Sequence, residues 1–134
     1  MQDFKIESNK KMELINITEK VVNLVNNNTL SDGICIVYIP HTTAAIIINE
    51  NEEGLLSDIR NFVGALADNN KEWKHNKVDN NAASHLANIA IGCEKIIPIQ
   101  NGKLMLGRWQ NIFFMELDGP KKREIYVEYI ECKG

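Results

Sequence analysis

Two kinds of hydrophobic spacing alternate along this chain, and together they place its elements. Phe4 to Glu7 reads as a first short strand, ending at the polar stretch Ser8-Asn9-Lys10-Lys11. Asn16 with Glu19 three residues on has the form of a capping box, and Val21, Leu24 and Val25 keep helical spacing until Asn26-Asn27-Asn28. Asp32-Gly33 turns the chain into Ile34–Ile39, a β-branched run of the kind found in buried strands. Pro40 interrupts it, and Thr43 to Asn49 resumes it with Ile46, Ile47 and Ile48, so two strands, or one bent strand, meet at His41. Leu55, Leu56, Ile59, Phe62, Val63 and Leu66 form the clearest amphipathic helix of the chain.

Residues 68–78 are polar and read as loop. Asp79 or Asn80 is placed to cap a further helix, with Ala82, Leu86, Ile89 and Ala90 as its apolar stripe and Gly92 as its end. His85 lies about one position off that stripe. Glu94 to Ile99 is a strand whose Pro98 marks it as an edge or bulged one. Asn101-Gly102 is a strong hairpin signal leading into Lys103–Leu106. Trp109 to Leu117 continues as strand, Asp118-Gly119-Pro120 turns the chain, and Glu124 to Glu131 alternates through Ile125, Val127 and Tyr129. Mixed strands and helices, with hairpins toward the C-terminus, make α+β the natural class for residues 1–134 as a single domain.

Composition narrows this little. With 134 residues, 44% hydrophobic and 25% charged, the chain can bury a core without staples. A net charge of −3 argues against nucleic-acid binding. The charge is uneven: residues 1–70 carry five Lys/Arg against ten Asp/Glu, and residues 71–134 carry ten against eight. The mildly basic second half suits a small anionic metabolite better than a polyanion. Cys35, Cys93 and Cys132 are odd in number, widely spaced and without a CxxC pair, which favours reduced thiols in the cytoplasm. The first residues contain no apolar signal segment, and no apolar run approaches the ~18 residues that would span a membrane.

The candidate chemistry is concentrated in two polar segments. All three histidines fall there: His41 in Pro40-His41-Thr42-Thr43, and His75 and His85 on either side of Asp79 and Asn81. Spacing alone allows His41, His75 and His85 to converge on a divalent metal, zinc or magnesium, in an open three-histidine site. It equally allows each to make only a local hydrogen bond. Asp79 is open to three roles: helix cap, partner orienting an imidazole, or general base. Arg108, Lys121, Lys122 and Arg123 are candidate anion binders, or a solvated charge run. Thr42 and Thr43 offer hydroxyls to a phosphate, or simply favour strand. Trp109 and Gln110 could stack on and hydrogen-bond a planar ligand, although a tryptophan there also fits a core or a subunit interface.

His41-Thr42-Thr43-Ala44-Ala45, followed by Ile48-Asn49-Glu50-Asn51, resembles the first signature of the YjbQ-like family. Asp79-Asn80-Asn81-Ala82-Ala83-Ser84-His85-Leu86 resembles the second. Gly102 through Gln110 and Glu116-Leu117-Asp118-Gly119-Pro120 resemble the third and fourth, in order and at family spacing. Arg108 stands where threonine is common, and Lys121 where arginine is common, exchanging a bidentate phosphate contact for a point charge. The resemblance implies a compact α+β domain, with a mixed, largely antiparallel sheet packed with helices, assembled as a homotrimer. It also implies a polar pocket that includes the matched histidines and Asp79.

The activity implied is that of a secondary thiamine-phosphate synthase, as a principal or a side activity. Such an enzyme joins hydroxymethylpyrimidine diphosphate to a thiazole phosphate and releases pyrophosphate. Asp79, His85 and His41 are then the expected catalytic residues, with Thr42, Thr43, Asn81, Arg108, Trp109, Gln110 and Arg123 binding substrate. Magnesium suits a diphosphate but prefers oxygen ligands, so three histidines fit it poorly. That mismatch keeps two alternatives open: a histidine-metal-dependent hydrolase of a small anionic metabolite, and a trimeric metabolite-binding protein without turnover.

Overall fold

The computed structural model describes residues 1–26, 31–66 and 71–133 of the chain. Its elements run β1 (Gln2–Glu7), β2 (Glu13–Asn16), α1 (Thr18–Asn26), β3 (Gly33–Tyr38), β4 (Ala44–Asn49) and α2 (Glu53–Leu66). A short 3-10 turn (Lys74–Lys77) follows, then α3 (Ala82–Ile91), β5 (Glu94–Gln100), β6 (Lys103–Leu104), β7 (Asn111–Glu116) and β8 (Lys122–Glu131). The strands form two antiparallel sheets, one ordered β1-β8-β3-β5-β6 and the other β2-β7-β4. The expected α+β domain with a largely antiparallel sheet is what the chain adopts.

Strand alternation decides the layers. Cys35, Val37, Ile97, Ile99, Ile125 and Val127 point from the large sheet into a core that meets Ala44, Ile46, Ile112 and Phe114 of the small sheet, closed by Val21 and Val25 of α1. The opposite face of the small sheet carries Ala45, Met115 and Leu117, covered by Val63 of α2 and Ala87 of α3. The small sheet is thus buried on both faces. The large sheet is covered on one, so Ile34 and Ile36 stay half-buried and Ile96 is 60% exposed. The β-branched run of β3 therefore does not lie in a strand covered on both sides within one chain.

Several boundaries differ from the sequence reading. Strand β2 went unforeseen because Glu13-Leu14-Ile15-Asn16 is too short to show alternation; its pairing with β7 supplies the reason for it. Trp109 lies outside β7, and only Lys103–Leu104 of the expected Lys103–Leu106 strand pairs. Asn16 does serve α1, accepting the Thr18 N–H at 3.0 Å. Helix α1 is described to Asn26; Asn27 and Asn28 of its expected stop, and residues 68–70 of the expected loop, lie outside the described residues. Asn101 and Gly102 both have positive φ (51° and 77°), the conformation a two-residue hairpin of type I′ requires. Pro98 lies where β5 is nearly an edge, since β6 pairs only with Ile99 and Gln100.

Gly33 lets β3 enter the sheet against β8. A Cβ there would lie well inside van der Waals contact of the Ile130 carbonyl oxygen, which is backbone and cannot step aside. Gly33→Ala is expected to destabilise the fold by about 1–3 kcal/mol, the cost of overpacking. A denaturant midpoint unchanged from the parent would contradict this.

Candidate functional site

At one end of the two packed sheets, a carboxylate and a guanidinium face each other. Glu116 shares the inward parity of Ile112 and Phe114, and Arg123 that of Ile125 and Val127. They are 0% and 5% exposed. Arg123 Nε donates to Glu116 Oε1 at 2.9 Å, and its Nη2 donates to Glu116 Oε2 and, at 2.9 Å, to Thr43 Oγ1. Ser8 Oγ donates to Glu116 Oε1 at 2.7 Å, and the N–H groups of Leu117 and Asp118 donate to Oε2 at 3.1 Å each. Burial pushes the Glu116 carboxyl up, but the bonds from Arg123, Ser8 and Asp118 outweigh it and hold the group below its ordinary value. The expectation that Thr43 and Arg123 clamp a ligand is corrected here. Both are buried and bonded to each other, with Arg123 balancing Glu116.

Helix α3 lies across this end with polar residues inward. Ser84 Oγ donates to the Leu117 carbonyl at 2.6 Å, and Asn88 Nδ2 donates to the carbonyls of Ala44 (2.7 Å) and His41 (3.3 Å). Of the expected stripe of Ala82, Leu86, Ile89 and Ala90, Ala82 is buried and Leu86 half-buried, while Ala90 is exposed and Ile89 is 77% exposed. Ser84 and Ala87 face inward with Ala82, and the carbonyls beneath are met by donors. The helix cap also differs from expectation. Asn81, not Asp79 or Asn80, is the N-cap residue; its side chain does not cap, and Asn76 Oδ1 accepts the Ala82 N–H instead at 2.9 Å. Asn81 Nδ2 donates to Asp118 Oδ2 at 2.8 Å, while its buried Oδ1 has no partner among the described residues. Asp118 also pairs with Lys121 at 2.9 Å. Burial raises Asp118, but the bonds from Asn81 and Lys121 prevail and keep it below the ordinary carboxylate value.

His41 follows β3 and turns its ring to β8. Its Nε2 lies 2.9 Å from the Glu124 N–H, which it accepts when unprotonated, and 3.2 Å from the Glu124 carbonyl, to which it donates when it carries a proton. Burial and the Arg123 charge lower its pKa from the ordinary 6.5, against the bond its protonated ring donates to the Glu124 carbonyl, which raises it. His75 and His85 form a separate pair, ring centroids 4.7 Å apart at 80°. Among the described residues, no three His, Cys, Asp or Glu side chains come together to hold a metal ion. The three-histidine ligand set is therefore divided within one chain into a pair and a single residue committed to β8. Asp79 is exposed, and its N–H, not its carboxylate, makes the local bond, to the His75 carbonyl at 3.1 Å.

Arg108, Trp109 and Gln110 lie at the far end of β7. Ala44 pairs with Glu116 and Asn49 with Asn111. Five residue steps of about 3.3 Å, roughly 17 Å, thus separate this loop from Thr43 and Asp118 along the strand. Trp109 is 60% exposed, with the Arg108 guanidinium 4.9 Å from its ring centroid. Gln110 Oε1 accepts the Gly107 N–H at 2.7 Å. Thr42 and Lys122 are exposed.

The model of the family described as UPF0047 protein YjbQ-like matches residues 2–132. The chain belongs to the YjbQ-like UPF0047 family. It is 41% identical to a UPF0047 protein of Methanocaldococcus jannaschii over 97% of this chain and 94% of that one. It is 32% identical to the UPF0047 protein YugU of Bacillus subtilis, over 96% and 97%. A YbjQ-like protein of unknown function from Sulfolobus solfataricus superposes with a TM-score of 0.95 at 40% identity, covering 97% of this chain and 95% of that one. A YjbQ/UPF0047 protein from Clostridium acetobutylicum gives 0.92 at 35%, covering 97% and 100%. In this member of the family, sequence reasoning missed Ser8, Asn88 and Glu116. Glu116 stood inside a quoted signature, and its place on the inward face of β7 was the signal available.

Glu116→Gln is expected to cost about 3–5 kcal/mol, because it strands a buried guanidinium, while Glu116→Leu with Arg123→Met together should cost far less. A double-mutant cycle from denaturant melts checks this; additive losses would contradict it. Acid should also destabilise the protein. His41, Glu116 and Asp118 each have a depressed folded pKa, so their contribution is whole above the ordinary values of 6.5, 4.5 and 3.8 and is lost as pH falls through the folded ones. Melts should weaken below pH 6.5 and more steeply below 4.5. Stability that is flat or rising on acidification through this window would contradict the assignment.

Proposed function

We propose that this protein is an enzyme acting on a small phosphorylated metabolite, and that its reaction is the formation of thiamine phosphate. In that reaction the bond from the pyrimidine methylene carbon to diphosphate oxygen breaks, and pyrophosphate leaves with the electron pair. The thiazole nitrogen then forms the new bond to that carbon. Such chemistry asks for donors and positive charge around the leaving group, with little covalent help from the protein. The observation that carries the reading is His41. The Glu124 backbone engages its Nε2 and burial lowers its pKa; in this reading the neutral ring accepts the Glu124 N–H and offers Nδ1–H to the ligand, next in sequence to the exposed Thr42. The unpartnered Oδ1 of Asn81 supports a ligand donor nearby, since a buried acceptor without a partner costs stability. His85, half-buried on α3, is a hydrogen-bond partner of the departing pyrophosphate in this reading, and the exposed Asp79 supplies charge.

A second reading, a metal-dependent hydrolase, draws support from the His75–His85 pair. Two imidazoles at that separation suit one zinc ion, but a site needs at least a third protein donor. The described residues of one chain do not supply it. A homotrimer is proposed alongside, supported by the outer face of the large sheet. Ile34, Ile36, Ile96 and Ile130 share that face, which no helix of the described chain covers. Sedimentation at micromolar concentration should give a trimer; a stable monomer would sink this part.

The activity is tested by incubating the purified protein with hydroxymethylpyrimidine diphosphate, thiazole phosphate and Mg²⁺ and measuring thiamine phosphate by chromatography. His41→Ala should lower turnover about 100-fold, the scale of one lost donor. Asp79→Asn should shift stability by less than about 0.5 kcal/mol, as an exposed change does. It should lower turnover at least ~10-fold if its charge orients an imidazole. No product above the protein-free blank overturns the synthase reading. Retention of a metabolite unchanged over hours would move the protein to the binding class.

A further inference from the structure

A cavity of about 360 Å³ opens between α2 and α3, beside the start of β2. Its apolar wall includes Met12, Val63, Ala87 and Leu117, and the last three are almost completely buried. The space exists because Gly64 on α2 and Ala83 on α3, which also line it, carry little or no side chain. Protein interiors are otherwise close-packed, and a void against buried apolar walls forfeits dispersion contacts. The volume falls within the range of small-molecule pockets.

The polar groups around it restrict what could fill it. Ser84 lines the cavity, but its hydroxyl proton is committed to the Leu117 carbonyl at 2.6 Å. Lys11 also lines it, and its ammonium is loosely held, 3.9 Å from Asp118 Oδ1. Asp118 has closer partners in Lys121 at 2.9 Å and Asn81 at 2.8 Å. Lys11, Lys121 and Asp118 together carry one positive charge in excess. The Lys11 side chain is 63% exposed, so it stands at the mouth.

We propose that this cavity binds a small arylalkanoic carboxylate, its ring against Ala87 and Leu117 and its carboxylate on Lys11. The occupant needs an apolar body to replace the missing contacts and a single negative head to meet the rim. A polyphosphate would leave the apolar wall unused, and a neutral hydrocarbon would leave Lys11 unmatched. The cavity shares Ser84 and Leu117 with the candidate site but is not lined by His41, and its proposed ligand does not rest on the thiamine-phosphate reading.

The experiment titrates 3-phenylpropionate, and its neutral isostere 3-phenylpropanamide, into the intact protein, with calorimetry and methyl NMR as readouts. The carboxylate should bind with a Kd of about 1 mM or tighter. It should shift the methyl signals of Met12, Ala83 and Ala87. Lys11→Gln should weaken the carboxylate roughly threefold to fivefold, the scale of one exposed ion pair, and leave the amide unchanged. Ala87→Leu should abolish binding of both by filling the cavity. Absence of binding at about 10 mM overturns the proposal. So does equal binding of the carboxylate by the Lys11→Gln protein, or methyl shifts confined to other regions. Should Ala87→Leu fail to fold, the Lys11→Gln comparison and the shift map decide alone. A change of sedimentation in the Ala87→Leu protein without ligand binding to the parent would identify the cavity as a contact between copies and equally overturn it.

Discussion

The buried pair of Glu116 and Arg123 joins the two sheets at the end where the candidate site is assembled. Each charge alone would be costly in a core, and the pair persists because the hydrogen-bonding capacity around it is filled. One carboxylate receives bonds from Arg123, Ser8 and two backbone N–H groups. Through those bonds it fixes the loop leading to Asp118, the segment after β1 and, by way of Arg123, Thr43. Gly119 fits into the same corner, where a Cβ would collide with the Lys10 carbonyl and the Ser8 hydroxyl.

The polar inner face of α3 follows from the same corner. Strand ends leave carbonyls without ladder partners, and these must be met when they are covered. Ser84 and Asn88 meet three of them, beside the buried Ala82 and Ala87, while Ile89 is turned outward. The geometry around His41 results: Asn88 holds its backbone carbonyl, Glu124 holds its ring, and burial with the Arg123 charge lowers the ring's pKa. A helix read by hydrophobic periodicity alone would turn Ile89 and Ala90 inward in place of Ser84 and Ala87.

The two ends of β7 divide the motif residues. His41, Thr43, Asn81 and Asp118 gather at its C-terminal end, while Arg108, Trp109 and Gln110 surround its start. Within one chain they form no common pocket. Ile96 and Ile130 on the outer face of the large sheet, and Trp109 beside β7, are exposed in the single chain.

By itself the sequence determined the class of fold, the order of nearly all its elements and the hairpin at Asn101-Gly102. These depend on local spacing and on turn residues whose backbone preferences hold in any context. It also marked the segments around His41 and His85, and that a charged run followed Pro120. Tertiary structure alone decided what those residues do. Whether Arg123 faces a ligand or Glu116 depends on strand parity across two sheets, which pairs positions far apart in the chain. Whether Asp79 or Asn81 begins α3, and which side of that helix is buried, depends on carbonyls supplied by β4 and the turn after β7. The division of the histidines into a pair and a single residue likewise follows from the Glu124 N–H on β8, a partner that spacing along the chain cannot reveal.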